Sequence, residues 1–339
     1  MEPFGRIVVV GDGGWGTALA MILQRAGREV SLWSHDSEYA DHMNETAANP
    51  RYLPGFAIPE SIRVGSDFAA LAESADMLVS AVPTSFLRTV WTAHAPKVAS
   101  GVPIVSVSKG LENETLLRPT QILAEVTGGA NPIAVLSGPN IAREIAQGLP
   151  ATTVVASDDA DLAARLRATF SGDAFRVYSN PDPVGVELGG VLKNVIALAA
   201  GMCDGMELGT NAKASLVTRG MIEMARLGVA LGGRRETFFG LSGLGDLYTT
   251  CESRSSRNRT FGERIGRGEE VDDIAASMNQ VAEGVKSCRP VRDIMHEHGL
   301  ALPISEEVYR VVHEGKSPQE GVRALMQRDH KDEAEDLGG

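Results

Sequence analysis

Apolar and polar positions follow two regimes along this chain. Up to about residue 180, short β-branched runs at 7–10, 30–33, 77–81, 104–107, 133–136, 153–156 and 175–178 predict strands. Between several of them, 17–25, 86–98 and 160–170 carry apolar residues at helical spacing. Strands that alternate with helices imply crossover connections and a largely parallel sheet. After "YSNPDPVG" (178–185) the strand signal stops. Helical periodicity then dominates at 186–203, 213–231, 259–267, 289–297, 305–314 and 318–327. A chain of 339 residues also exceeds one comfortable core. The fold class expected is α/β: a doubly wound sheet domain over 1–180, then an all-helical domain over 181–339, whose last ten or so residues form a charged, frayed tail.

One helical segment breaks its own pattern. "LGGVLKNVIALAAG" (188–201) has no polar face, which marks a buried helix, yet Lys193 and Asn194 stand in its middle. An unpaired ammonium there would cost several kcal/mol or more. No apolar run is expected to reach the ~18 residues of a membrane span.

The overall charge sharpens the question. At −12 and with a pI near 5.1, the chain is a poor partner for nucleic acid or an anionic membrane. An anionic ligand would need a local cluster of cations. Cys203, Cys251 and Cys288 are odd in number and free of CxxC spacing, which favours a reducing cytoplasm over a disulfide framework or a thiolate metal site. The first strand follows Met1 so closely that no leader is expected. The seven histidines show no HExxH, and no metal is expected.

Directly after the first strand comes "GDGGWGTALA", in which Gly11, Gly13 and Gly16 match GxGxxG. Its place between a strand and a helix is the context of a dinucleotide-binding, Rossmann-type loop. Gly11 permits the tight turn, Gly13 lets backbone approach a pyrophosphate, and Gly16 allows close packing of helix on strand. The second strand ends in "LWSHDSE". Ser34 and His35 stand at its tip with Asp36 just beyond, and this leaves NADH and NADPH both open, with NADPH at least as good.

Other cations repeat the puzzle of Lys193. Lys109 in "VSVSKGLE" lies just past a strand, where a solvated loop lysine and a ligand contact are both reasonable readings. Asp246 lies in the glycine-rich "GLSGLGDLYTTC". Arg254, Arg257, Arg259, Arg264 and Arg267 gather in "ESRSSRNRTFGERIGR", either as a solvated basic face or with a phosphate contact among them.

With these residues in view, the chain resembles the bacterial-type NAD(P)-dependent glycerol-3-phosphate dehydrogenases. The resemblance rests on "GDGGWGTALA", "NPRYLPG", "SKGLE", "LSGPNIAREIAQGLP", "LGGVLKNVIALAAG", "NAKASLVTRG", "GLGDLYTTC", "SRNRTFG" and "VAEGV", in that order, to about residue 330. It implies that Gly14, Trp15 and His35 contact cofactor and that Lys109 contacts cofactor and substrate. Gly138 and Asn140 fall at substrate positions and Ala142 at a cofactor position. Asn140 departs from the family's usual Ser or Thr. Lys193 matches the proton-transferring residue. Asp246, Ser256, Arg257 and Asn258 match substrate contacts, with Arg257 also near the cofactor. Val281 and Glu283 match further cofactor contacts. The resemblance further implies NADH or NADPH as cofactor, dihydroxyacetone phosphate and glycerol 3-phosphate as substrate pair, supply of glycerol 3-phosphate for phospholipids, and a homodimer.

The residue chemistry agrees. Carbonyl reduction leaves an alkoxide that needs a proton, and a desolvated lysine is a suitable donor. Gly189, Gly190, Ala197 and Ala200, on the Lys193 side of the helix, were expected to leave room for ligands. Two rival readings stand beside this one. The first is another two-domain dehydrogenase, acting on 3-hydroxy acids, 6-phosphogluconate or a sugar nucleotide. The second is a dinucleotide-sensing module in which Lys193 merely pairs with a buried carboxylate such as Glu187.

Overall fold

The computed structural model describes residues 1–278, 282–329 and 332–333. Val281 and nearly all of the charged tail lie outside them. The chain divides into two compact units, Met1–Lys109 with Leu117–Pro183, and Gly110–Leu116 with Val184–Gly339.

The first unit is built on ten strands: β1 (Arg6–Val10), β2 (Glu29–Trp33), β3 (Ala48–Asn49), β4 (Leu53–Ala57), β5 (Arg63–Gly65), β6 (Met77–Ser80), β7 (Ile104–Ser106), β8 (Ile133–Ser137), β9 (Ala151–Ala156) and β10 (Phe175–Asn180). Eight of them form one sheet in the order β10-β9-β8-β7-β6-β1-β2-β5. All neighbours run parallel except β8 and β9, which pair antiparallel. Strand β1 therefore lies inside the sheet, third from the β5 edge, paired with β6 on one side and β2 on the other. Its residues Val8, Val9 and Val10 are buried, as a strand covered on both faces requires. Apolar clusters fill both sides of the sheet. The seven strands read from sequence are present. The β3–β4 hairpin and β5 add to them: β3 and β5 are two and three residues long, and β4 carries Pro54 and Gly55, which hide a strand signal.

The second unit is helical. Its central element is the helix Pro183–Gly205, 23 residues long and buried from Gly185 to Cys203. This corrects the expectation that no apolar run reaches membrane length: by length and composition this helix does. Its apolar window is wholly buried. The helices Gly209–Ala230, Arg257–Gly266, Glu283–Glu297 and Pro303–Glu314 surround the same core.

Two of these helices meet backbone to backbone. A Cβ on Gly201 would lie 2.0 Å from the Arg259 carbonyl oxygen, and one on Gly262 would lie 2.0 Å from that of Leu198. The glycines in "AAG" and "FGERIG" thus set how closely the helix carrying Lys193 approaches the helix that begins at Arg257. The Glu283–Glu297 helix contains Pro290, and the proline signal is why its sequence-read start fell several residues late.

Candidate active site

In the first unit, the loop after β1 has the shape that its glycines demand. Gly11 has φ +117°, and a Cβ on Gly16 would sit 2.0 Å from the Gly11 carbonyl oxygen. A Cβ on Gly14 would meet the Tyr52 carbonyl oxygen at 2.6 Å, whereas nothing lies within 4 Å of one on Gly13. Gly13 therefore faces open space, where a ligand can reach the backbone. The helix Gly14–Arg25 that follows has no side-chain cap and no acid in its first turn. Its free N–H groups and positive dipole end suit an anion. Trp15, in that first turn, packs partly against the core.

At the tip of β2, Ser34 is buried and His35 exposed. Asp36 caps the helix Ser37–Thr46 by accepting from the Tyr39 amide at 3.0 Å. On the far side of β1, Lys109 Nζ donates to the Gly138 carbonyl at 3.2 Å, so these two expected contacts are neighbours. Asn140 Nδ2 donates to Thr153 Oγ1 at 3.1 Å, and Thr153 donates to the Ser137 carbonyl at 2.8 Å. The Asn140 Oδ1 and the Ser137 hydroxyl are buried without a protein partner. Ala142 opens the short helix Ala142–Ala146.

In the second unit, the charge inside the apolar helix has found its counterpart. Lys193 Nζ donates to Asp246 Oδ1 at 2.6 Å and to Thr250 Oγ1 at 2.9 Å. Both ions are buried, with side-chain exposures of 8% and 3%. The buried carboxylate beside Lys193 is Asp246, 53 positions further along the chain. Asp246 is not in a turn: it begins the helix Asp246–Glu252, just after a π-helical turn at Leu241–Gly245. That turn fills space expected to be open, since a Cβ on Gly189 would lie 2.4 Å from the Ser242 carbonyl oxygen. Thr250 donates to the Asp246 carbonyl at 2.6 Å, which turns its lone pairs toward the ammonium.

A second cluster lies one residue along. Asn194 Oδ1 accepts from Asn258 Nδ2 at 2.9 Å, and Asn258 Oδ1 accepts from the Gly284 amide at 2.8 Å. Both asparagines are buried, and Asn194 Nδ2 has no protein partner. Asn258 was expected to offer its side-chain amide to a phosphate. One end and one hydrogen of that amide instead tie the start of the Glu283–Glu297 helix to the Lys193 helix. Ser256 caps the Arg257–Gly266 helix by accepting from the Arg259 amide at 3.2 Å. Arg257, its first residue, is exposed.

The other arginines separate by environment. Arg259 is held by Asp204 and Glu263, Arg264 by Glu269 and Ser277, and Arg267 by Glu263. Thr250 was not singled out from sequence, and Asn194 only as a polar residue inside the apolar helix. "TTC" reads as ordinary helix, and Asn194 is overshadowed by the charge beside it.

Two families of known sequence match this chain. Residues 6–163 match the family described as NAD-dependent glycerol-3-phosphate dehydrogenase N-terminus, and residues 182–323 its C-terminus. The chain is 49% identical over 329 residues to a glycerol-3-phosphate dehydrogenase [NAD(P)+] of Streptomyces coelicolor, covering 97% of this chain and 98% of that one. A protein of the same name from Nitratidesulfovibrio vulgaris is 45% identical, covering 97% and 100%. The crystal structure of a glycerol-3-phosphate dehydrogenase from Coxiella burnetii superposes with a TM-score of 0.91 at 38% identity, covering 96% of this chain and 99% of that one.

Proposed function

The chain belongs to the NAD-dependent glycerol-3-phosphate dehydrogenase family, and from that membership we infer that it interconverts dihydroxyacetone phosphate and glycerol 3-phosphate with NADH or NADPH. The observation that carries the assignment of residues is the buried Lys193–Asp246–Thr250 cluster.

Reduction places a hydride on the substrate's carbonyl carbon, and the oxygen then needs a proton. When bound, the reduced nicotinamide supplies that hydride. The proton comes from Lys193 Nζ, whose direction is set by its bonds to Asp246 and Thr250. In the oxidative direction the neutral amine accepts the proton from the substrate hydroxyl. The Asp246 carboxylate favours return of the charged form after each transfer, and burial opposes it.

The other roles follow the chemistry of each group. Gly11, Gly13, Gly14 and Gly16, with the uncapped Gly14–Arg25 helix, hold the cofactor pyrophosphate. Trp15, His35, Ala142, Val281 and Glu283 are further cofactor contacts by resemblance. Lys109 and Gly138 serve the substrate, as does the unpartnered Asn140 oxygen. Arg257, Asn258 and the free N–H groups at the start of the Arg257–Gly266 helix take the substrate's phosphate. The first unit is thus the dinucleotide-binding part and the second the catalytic part.

A homodimer in the cytoplasm completes the proposal. It is supported by exposed Phe239, Leu244 and Tyr248 in one segment of the second unit, and by three free, buried cysteines.

Lys193→Ala tests the assignment. It should still fold and bind NADH, melting lower than the parent because Asp246 loses its buried counter-ion, while kcat falls by about 100- to 10,000-fold, the usual worth of a positioned acid–base group. Near-parental turnover in the folded variant would remove Lys193 from the chemistry.

A further inference from the structure

The loop after β1 holds a carboxylate that its glycine pattern does not require. Asp12 lies between Gly11 and Gly13 and is almost wholly buried. Its Oδ2 accepts from Ser34 Oγ at 2.8 Å, and Ser34 is the first residue past the end of β2. Its main chain is equally fixed. The Asp12 carbonyl accepts from Asn49 Nδ2 at 2.7 Å and from Thr17 Oγ1 at 3.2 Å. Asn49 Oδ1 in turn accepts from the Tyr39 hydroxyl at 2.7 Å and from the Tyr52 amide at 3.0 Å. The glycine loop, the β2 tip and the β3–β4 hairpin are therefore one hydrogen-bonded body with this carboxylate inside it.

In a sheet of this kind the adenosine ribose lies at the tip of the second strand. A carboxylate there accepts from the ribose 2′-hydroxyl and repels a 2′-phosphate. Strand β2 brings no such acid itself. Asp36 is engaged in capping its helix and lies 3.7 Å from Arg51. Arg51, a cation near the strand tip, already has that carboxylate beside it. Its guanidinium carbon also stands 4.1 Å from the centre of the Tyr39 ring. Among the described residues, Asp12 makes no ion pair, whereas Asp36 does.

We propose that Asp12, carried by the first strand's loop and aimed at the second strand's tip by Ser34, makes this chain prefer NADH to NADPH. The proposal rests on the dehydrogenase reading above. It reverses the expectation drawn from Ser34 and His35 alone, because the deciding acid lies more than twenty residues before the tip it serves.

The test is a titration of NADH, NADPH, AMP and adenosine 2′,5′-bisphosphate against the wild-type chain, Asp12→Asn and Asp12→Ser, paired with kcat/KM for dihydroxyacetone phosphate using each reduced cofactor. Asp12→Asn keeps the acceptor for Ser34 and removes only the charge. The wild type should favour NADH by about tenfold or more, and AMP over the bisphosphate likewise. Asp12→Asn should narrow both ratios by about ten- to a hundredfold, chiefly by gaining affinity for the 2′-phosphorylated ligands. Equal affinities in the wild type, or ratios that the folded variants leave in place, would overturn the proposal and leave the dehydrogenase reading standing. A chain that binds neither dinucleotide would overturn both. The wild-type ratio decides even where a variant fails to fold.

Discussion

Lys193 and Asp246 are 53 positions apart in sequence and share a hydrogen bond at 2.6 Å. Lys193 was legible because a charge inside an apolar helix contradicts its surroundings. Asp246 was legible only as an acid among glycines, since nothing local says which cation it meets. Thr250 gave no signal and Asn194 only its polarity, because hydrogen-bond roles inside a packed cluster are set by neighbours distant in sequence. The arginine run shows the same limit: Arg259, Arg264 and Arg267 are held by carboxylates on the same helix, an adjoining helix or the loop that follows. Arg257 is exposed and is the first residue of its helix. Replacing it with alanine should lower kcat/KM for dihydroxyacetone phosphate by about 10- to 100-fold, the worth of one charge-assisted contact at an exposed position. Unphosphorylated dihydroxyacetone, already a poor substrate, should lose little. Arg264→Ala should stay within about threefold. An equal loss on both substrates at Arg257 would place the phosphate elsewhere.

At the scale of elements, helix existence was easier to read than helix ends. Arg257–Gly266 begins two residues before its apolar period does, because Ser256 supplies the cap and Arg257 and Asn258 form the first turn. The close crossing through Gly201 and Gly262 could not be read either, since a glycine pair says nothing about which backbone approaches it. Another joint between helices has a pH signature. Glu223, on Gly209–Ala230, accepts from the Ile304 amide at 2.6 Å, the Ser305 amide at 3.0 Å and the Ser305 hydroxyl at 2.8 Å. It caps the Pro303–Glu314 helix from a distance. Burial pushes its carboxyl up to about 7, against the pull of those three donors. A raised folded pKa means a contribution fully present below the unfolded value near 4.5 and lost as pH rises through about 7. Urea unfolding at pH 5 and pH 8 should therefore show a decline on the order of 3 kcal/mol from this group. Glu223→Gln should remove that part of the slope, whatever it does to stability at either pH. Equal slopes in the two proteins would mean that the carboxyl titrates normally.

For the whole molecule, alternation of strand and helix was enough to predict an α/β sheet unit followed by a helical one, because a buried interior strand such as β1 must be apolar along its whole length. The antiparallel β8–β9 pair was not legible, since chain direction leaves no mark on a short apolar run. Nor was the transfer of Gly110–Leu116 to the second unit, a segment too short for any period. The glycine loop and the ordered motifs carried the functional reading, and the family matches cover the same two parts of the chain. What distinguishes this chemistry from that of other two-domain dehydrogenases is the phosphorylated three-carbon substrate. The most direct measurement is the loss of NADH absorbance when the purified chain meets dihydroxyacetone phosphate as the sole acceptor, beside parallel reactions offering 6-phosphogluconate or a 3-hydroxy acid with NAD⁺ or NADP⁺. Saturable oxidation of NADH by dihydroxyacetone phosphate, with no turnover of the other two, is the expected result. No dependence on dihydroxyacetone phosphate, or turnover of either alternative in its place, would contradict the account.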